Sequence, residues 1–451
     1  MAAQTPHGNR EQWRSGLGFV LATLGAAVGV GNVWRFSYVA GENGGGAFVL
    51  VYVLFVAAIG LPLMLAEFAL GRAAQRGPEA AFATLAPRGP WRRAGLPGVL
   101  VAALILAYYA VVAGWTLRFF AVHLFGEGGA AAALPAAQRL EAFLGSAEPV
   151  AWQALVMAAC VAVVWGGVQR GIEASTTLLM PLLAVVLLVL AGYALSLPGA
   201  AQGLAFIFRP DWAVLAKPGV YLAALGQAFF SLGLACGVMV TYGSYLPHRR
   251  SLLRPAAAVV AGDTAFAVVA GVMVFPAVFS FGLDPAAGPA LAFVTMPQVF
   301  EQMPFGRWFG AAFFGLLAMA ALTSAISVLE VVVAFLMDRW GLRRRTAALG
   351  AGGAVFVLGL PAALSFGWLG GVRIGGLGEL DAMDFLASNV LMPLNGLLVA
   401  VFVGWVWARR EACRASGLPP ALAAAWHAVL RFGAPALIAL VLLRSLGLGA
   451  G

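Results

Sequence analysis

The feature that most constrains this chain is the recurrence of apolar segments of about 20 residues with little polar sequence between them. A helix crosses a hydrocarbon core about 30 Å thick in about 20 residues, and no soluble fold needs such a segment repeatedly. Spans are predicted at 15–40, 47–71, 95–124, 150–168, 174–197, 219–246, 254–282, 308–338, 346–366, 379–408 and 424–447, eleven in all. Composition supports the reading: 62% of the 451 residues are hydrophobic and 10% are charged. A soluble globule could not cover its surface with so few charges, and a disordered chain would carry more. The expected class is an all-α polytopic membrane protein. Residues 125–149 and 283–307 are read as long loops, the second with short surface helices.

Charge placement orients the spans. With a cytoplasmic N-terminus, 19 of the 27 basic residues fall on the inside, among them Arg72, Arg76, Arg92, Arg93, Arg249, Arg250, Arg343, Arg409, Arg410 and Arg431. This is the positive-inside asymmetry. The formal charge of +9 is therefore a topology signal that requires no nucleic-acid partner. An odd number of spans places the C-terminus outside, and the predicted location is a bacterial inner membrane. Residues 1–14 are polar and precede no cleavage-site pattern, so the first apolar run is expected to stay in the membrane. Cys160, Cys236 and Cys413 suggest neither a disulfide framework nor a metal site.

Two spans carry glycine clusters at mid-depth: Gly25-Ala-Ala-Val-Gly-Val-Gly-Asn32 in the first and Phe230-Ser-Leu-Gly-Leu-Ala-Cys-Gly237 in the sixth. Either alone could serve close helix packing. Together, five spans apart and so in opposite orientation, they match discontinuous helices in inverted halves, the best sequence pointer to a transporter's binding site. A broken helix exposes carbonyls at the end of one half and N–H groups at the start of the next. The first suit a hard cation, the second a carboxylate.

Gly29-Val-Gly-Asn-Val-Trp-Arg-Phe36, Gly41-Glu-Asn-Gly-Gly-Gly-Ala-Phe48 and Pro62-Leu-Met-Leu-Ala-Glu-Phe-Ala-Leu-Gly-Arg72 follow in order. With Tyr108-Tyr109, Gly226-Gln-Ala-Phe-Phe-Ser231, Thr241-Tyr-Gly-Ser-Tyr245, Leu322-Thr-Ser324 and Leu380-Asp-Ala-Met-Asp-Phe385, they resemble the neurotransmitter:sodium symporter family over residues 10–410. Eleven spans resemble its bacterial branch of multi-substrate hydrophobic amino acid transporters. The resemblance implies a leucine-transporter-like fold: a tail at 1–14, one repeat of five spans at 15–197, an outer loop at 198–218, an inverted repeat at 219–410, and a loop and last span at 411–451. It implies alternating access, with sodium and a hydrophobic L-amino acid as partners in a lipid bilayer; oligomeric state is left open.

By the same resemblance, one sodium ion meets the Ala27 carbonyl, the Asn32 amide, Ser231, Asp263 and the substrate carboxylate. A second meets the carbonyls of Gly25, Val28 and Ala320 and the hydroxyls of Thr323 and Ser324. Read from the residues alone, Ala320, Thr323 and Ser324 share one helix face, although hydroxyls in spans often bond their own helix. Asp263, a carboxylate in an apolar span, is a functional residue by default. Its permanent charge stands where chloride-dependent relatives use an ion, so transport is expected to be chloride-independent; a proton could replace sodium there.

Ala27, Gly29, Gly31, Tyr109 and Ser231 are expected around the substrate's charged end. Gly29 stands where monoamine-carrying relatives hold an aspartate, which favours an α-amino acid. Ile105, Tyr109, Phe230, Gly233, Cys236, Ser324 and Val328 are expected around its side chain. They offer no charge, so a charged side chain would go unpaired; the small Gly233 and Cys236 lean toward bulky aliphatic or aromatic substrates. Gates are implied at Arg35–Asp384, with Phe230 as lid, and at Arg10–Asp338, with Trp13 and Tyr245 alongside. Gly171 and Pro181 resemble a motif for unwinding span 5, and Glu67 is expected to support the break in span 6. An enzyme is not expected, since the four histidines lie in tails or at span ends. A proton-coupled carrier of the same fold and a non-transporting sensor are the alternatives.

Overall fold

A computed structural model describes residues 10–127, 134–248, 251–286 and 291–445. Arg249 and Arg250, counted above as inside charges, lie outside the described residues. Among the described residues there is no β-strand, only one isolated bridge between Ile374 and Leu377. Nine helices among the described residues are long and apolar enough to cross a membrane, and a bent pair makes a tenth crossing.

Span 1 is that bent pair, Gly16–Ala27 and Gly31–Glu42, which meet at 56°. Spans 2 to 5 are Gly46–Ala74, Pro90–Phe125, Glu148–Trp165 and Val168–Ala194. Span 6 is divided into Pro218–Ser231 and Val238–Gly243. Spans 7 to 11 are Leu253–Ser280, Gly306–Trp340, Arg344–Leu364, Glu379–Val406 and Pro420–Ser445. Ten of the eleven predicted spans thus appear as membrane-length crossings, with ends shifted by a few residues, as expected where fraying and loop packing set boundaries, while the predicted sixth appears as two shorter helices.

Spans 3 and 8 have the most buried apolar windows, 72% and 78%. Spans 5 and 11, at 33% and 28%, turn most of their surface outward. Lipid is as apolar as leucine, so span packing depends on close fit more than on hydrophobicity. Spans 2 and 6 show this. A β-carbon on Gly243 would lie 2.7 Å from the Phe68 carbonyl oxygen, and one on Gly71 would meet the Val240 carbonyl.

The loop at 283–307 differs from expectation. Its helical part, Leu291–Thr295 followed by Met296–Gln302, has a buried face in place of a surface position. Phe293 is buried and stands edge-on to Trp34 of span 1 and Trp115 of span 3, with ring centroids 5.6 and 5.8 Å away. The aromatic payload outweighs the polar flanks that suggested an exposed loop. All three cysteines are free.

Candidate functional site

The two breaks face one another. In span 1 the helix ends at Ala27, and Val28 turns to extended backbone (ψ 107°). In span 6 the chain leaves helical geometry between Leu232 and Gly237, with Gly233 (φ +58°), Ala235 (φ +63°) and Gly237 (φ +78°) all left-handed. Alanine in that region costs about 1–2 kcal/mol. Two side chains from other spans hold it there. Glu67 of span 2 accepts from the Ala235 N–H at 2.7 Å, and Asn395 of span 10 donates to the Ala235 carbonyl at 2.6 Å. Each satisfies a peptide group that the broken helix releases. Asn395 escaped the sequence reading, because an amide in an apolar span looks like any packing residue until its partner is known.

Next to the breaks lies a buried oxygen cluster. Asn32 donates through Nδ2 to Asp263 Oδ1 (2.7 Å) and Ser231 Oγ (2.9 Å), and Ser231 donates to Asp263 Oδ2 (2.6 Å). Tyr52 of span 2, also unforeseen, donates to Ser231 Oγ at 3.1 Å. Asp263 is fully buried, eleven residues into span 7, far from the helix ends where a capping aspartate would sit. Its hydrogen-bond partners are all neutral, and among the described residues it forms no ion pair. A buried carboxylate among hydroxyl and amide oxygens, with no sulfur or imidazole, suits a hard cation. Among the described residues no three His, Cys, Asp or Glu side chains converge as for a transition metal.

The second set, Gly25, Val28, Ala320, Thr323 and Ser324, is brought together in part. A β-carbon on Gly25 would lie 3.3 Å from Thr323 Cβ and 3.1 Å from Met180 Sδ, so spans 1, 5 and 8 touch there. Thr323 donates its hydroxyl proton to the Ala320 carbonyl of its own helix (3.0 Å), leaving its lone pairs free. Ser324 reaches across to the Ala26 carbonyl at 3.2 Å, a neighbour of the carbonyls expected from the motif.

Above this lies the expected substrate position. Tyr109 Oη accepts from the Val30 N–H at 3.1 Å, tying span 3 to the start of the second half-helix. A β-carbon on Gly29 would sit 2.8 Å from that hydroxyl and 3.4 Å from Ser324 Cβ; one on Gly31 would meet the Phe230 ring at 2.5 Å. Both glycines are imposed by proximity. Ile105, Tyr109, Cys236 and Val328 are buried. For Gly233 the backbone supplies a reason beside the one proposed from sequence: its left-handed conformation favours glycine whatever the pocket's size. The Cys236 thiol folds back onto the Gly233 carbonyl at 2.9 Å.

The gates are unequal. Arg10 Nη1 binds both Asp338 oxygens, at 2.8 and 3.1 Å. Asp338 also accepts from the Gly77 N–H and from Arg76, and Arg10 lies over the Tyr245 ring, 4.9 Å from its centroid. Trp13 donates to the Tyr242 carbonyl at 3.0 Å. Beneath it lies a pair that sequence reading missed: Glu330, fully buried in span 8, accepts from Arg344 (2.7 and 3.0 Å) and from Tyr245 (2.5 Å). A glutamate inside an apolar span was a visible signal; its partner was hidden in the Arg343-Arg344-Arg345 run. At the other end, Arg35 and Asp384 form no ion pair, contrary to expectation. The Arg35 guanidinium stacks on Phe230, 4.4 Å from the centroid, and donates to Gln227. Asp384 accepts from Tyr108 and Ser388, each at 2.8 Å. Each charge is satisfied by its own neighbours.

Span 5 remains helical from Gly171 through Pro181: Gly171 lies in a wide π-turn, Val168–Glu173, and Pro181 within Ala174–Ala194. Glu173 of that turn accepts from the N–H groups of Arg14 (2.8 Å) and Ser15 (3.1 Å), capping span 1.

Paired breaks, a buried oxygen cluster between them, and an Arg10–Asp338 bridge closing one end define a helical membrane transporter. Comparison with known proteins agrees. The model of the sodium:neurotransmitter symporter family matches residues 10–127 and 137–447, and the chain belongs to that family. It is 39% identical over 442 residues to an uncharacterised sodium-dependent transporter, YhdH, of Bacillus subtilis (strain 168), covering 97% of this chain and 98% of that one. A Haemophilus influenzae sodium-dependent transporter is 34% identical, covering 89% and 90%. The crystal structure of MhsT in complex with L-phenylalanine superposes with a TM-score of 0.89 at 48% identity, covering 97% of this chain and all of that one. The fold is leucine-transporter-like.

Proposed function

We propose that this protein is a sodium-coupled symporter of hydrophobic L-amino acids, bulky aliphatic or aromatic, working by alternating access with two sodium sites and without chloride. The observation that carries this reading is Asp263, buried and bonded only to Asn32 and Ser231 at the meeting of the two breaks and to nearby Tyr52. Sodium there would neutralise the carboxylate, and the half-helix beginning near Gly31 would face the substrate's carboxylate beside Tyr109. Gly25, Val28, Ala320, Thr323 and Ser324 would hold the second ion. The similarity to MhsT, whose structure contains L-phenylalanine, supports the substrate class. The repeats are assigned to 15–197 and 219–410, with the Arg10 end cytoplasmic and the C-terminus outside.

The test is uptake of labelled amino acids into liposomes under an imposed sodium gradient, with potassium or choline as controls and gluconate replacing chloride. Uptake of leucine- and phenylalanine-like substrates that needs sodium and persists in gluconate is expected. Equal uptake driven by a proton gradient alone would overturn sodium coupling.

A further inference from the structure

Span 11 carries a cation where a membrane helix should not: Arg431, twelve residues into Pro420–Ser445. Among the described residues it forms no ion pair, and its Nε is buried without a hydrogen-bond partner. Its guanidinium lies 4.3 Å from the Trp405 ring centroid and 5.4 Å from that of Phe432. Both rings face outward, 56% and 60% exposed. Trp405 also donates to the Arg431 carbonyl at 2.8 Å, so the frame is fixed.

The depth is given by neighbours. Trp405 is one residue from the end of span 10, and Arg409 and Arg410 begin the following short helix, Arg409–Ser416. Arg72 of span 2 bonds the Ala415 carbonyl of that helix, while nearby Arg76 pairs with Asp338, the partner of Arg10, so this is the Arg10 end. One turn before Arg431, His427 is buried with its Nε2 unpartnered, within electrostatic reach of Arg409 and Arg431. The adjacent carboxylate, Glu411, accepts from Trp407 at 3.3 Å and pairs with no arginine among the described residues. Positive groups thus gather at the membrane boundary, with no acid taking their charge and with the tryptophan typical of head-group depth.

We propose that Arg431, with Arg409 and framed by Trp405 and Phe432, binds the phosphate of an anionic phospholipid in the leaflet at the Arg10 end. A guanidinium matches phosphate oxygens bidentately, and the outward rings suit the lipid's glycerol and upper acyl chain. Soluble phosphate shares the chemistry, but the two exposed rings beside the guanidinium offer an apolar flank that a lipid would cover and inorganic phosphate would not.

Delipidated full-length protein is titrated with phosphatidylglycerol, phosphatidylcholine or inorganic phosphate, and bound lipid is read by native mass spectrometry. Phosphatidylglycerol is expected to be retained preferentially, with affinity lowered about fivefold by Arg431→Gln and unchanged by Arg444→Gln at the far end of the same span. Arg409→Gln, on an exposed loop helix, tests the site if Arg431→Gln does not fold; it too is expected to lower affinity. Equal retention of phosphatidylcholine, wild-type binding by the folded variants, or displacement of the lipid by inorganic phosphate would each overturn the assignment.

Discussion

At the scale of single residues, Asp263 sets the ion chemistry. Its carboxylate accepts three bonds from neutral groups, which orient it without cancelling its charge. Replacing it with asparagine should remove the fixed charge and leave the cluster's shape. Asp263→Asn is expected to cut sodium-driven uptake in gluconate at least about tenfold, the scale of ~1.4 kcal/mol, with partial recovery when chloride is supplied. Unchanged uptake in gluconate would contradict the assignment. Tyr52 acts through Ser231. Losing one hydrogen bond costs about 1 kcal/mol, so Tyr52→Phe should raise the half-saturating sodium concentration about fivefold, measured by sodium titration of uptake, with little change in maximal rate.

At the scale of elements, the break in span 6 is a segment held open from both sides. Glu67 and Asn395 grip the N–H and the carbonyl of Ala235, a residue whose left-handed backbone is unfavourable on its own. Asn395→Leu would leave a buried carbonyl unsatisfied, a cost of about 1–3 kcal/mol. A fall in thermal stability is expected, together with weaker substrate binding, because Cys236 and Gly233 move with that peptide. Ala235→Gly should be tolerated, since it relieves strain of about 1 kcal/mol, and melting in detergent compares the two. How much of this element was legible divides cleanly. Gly233 and Gly237 announced a break, and Glu67 in an apolar span announced a support. Asn395, 160 positions from its partner, had no pattern that could link it to Ala235, because hydrogen bonds between spans leave no periodicity.

At the scale of the whole molecule, the two ends differ in what holds them. The Arg10 end combines a bridging ion pair with a buried one, Glu330–Arg344, whose glutamate side chain is 0% exposed. Stripping the charged partner from a buried charge costs about 3–5 kcal/mol, and Asp338, unlike Glu330, keeps a second arginine, Arg76, when Arg10 is lost. Arg344→Gln should therefore lower the melting temperature by several degrees. Arg10→Gln should barely change it, and should show instead as increased labelling of cysteines introduced near Tyr245. A similar loss of stability in both variants would refute this division of labour. At the other end Arg35 and Asp384 are each satisfied locally, so closure there would require exchanging those bonds for each other.

The succession of apolar spans, their orientation as proposed, the paired breaks and the family followed from the chain alone. These rest on properties that run along it: apolar length, arginine asymmetry, glycine at mid-span and motifs in order. What tertiary structure decided is which polar groups meet. It joined Asn32, Ser231, Asp263 and Tyr52 from four spans, set Glu330 on Arg344, and kept Arg35 from Asp384. Inside a bilayer each buried polar group must find a partner from another helix, and helix packing alone determines which partner is within 3 Å.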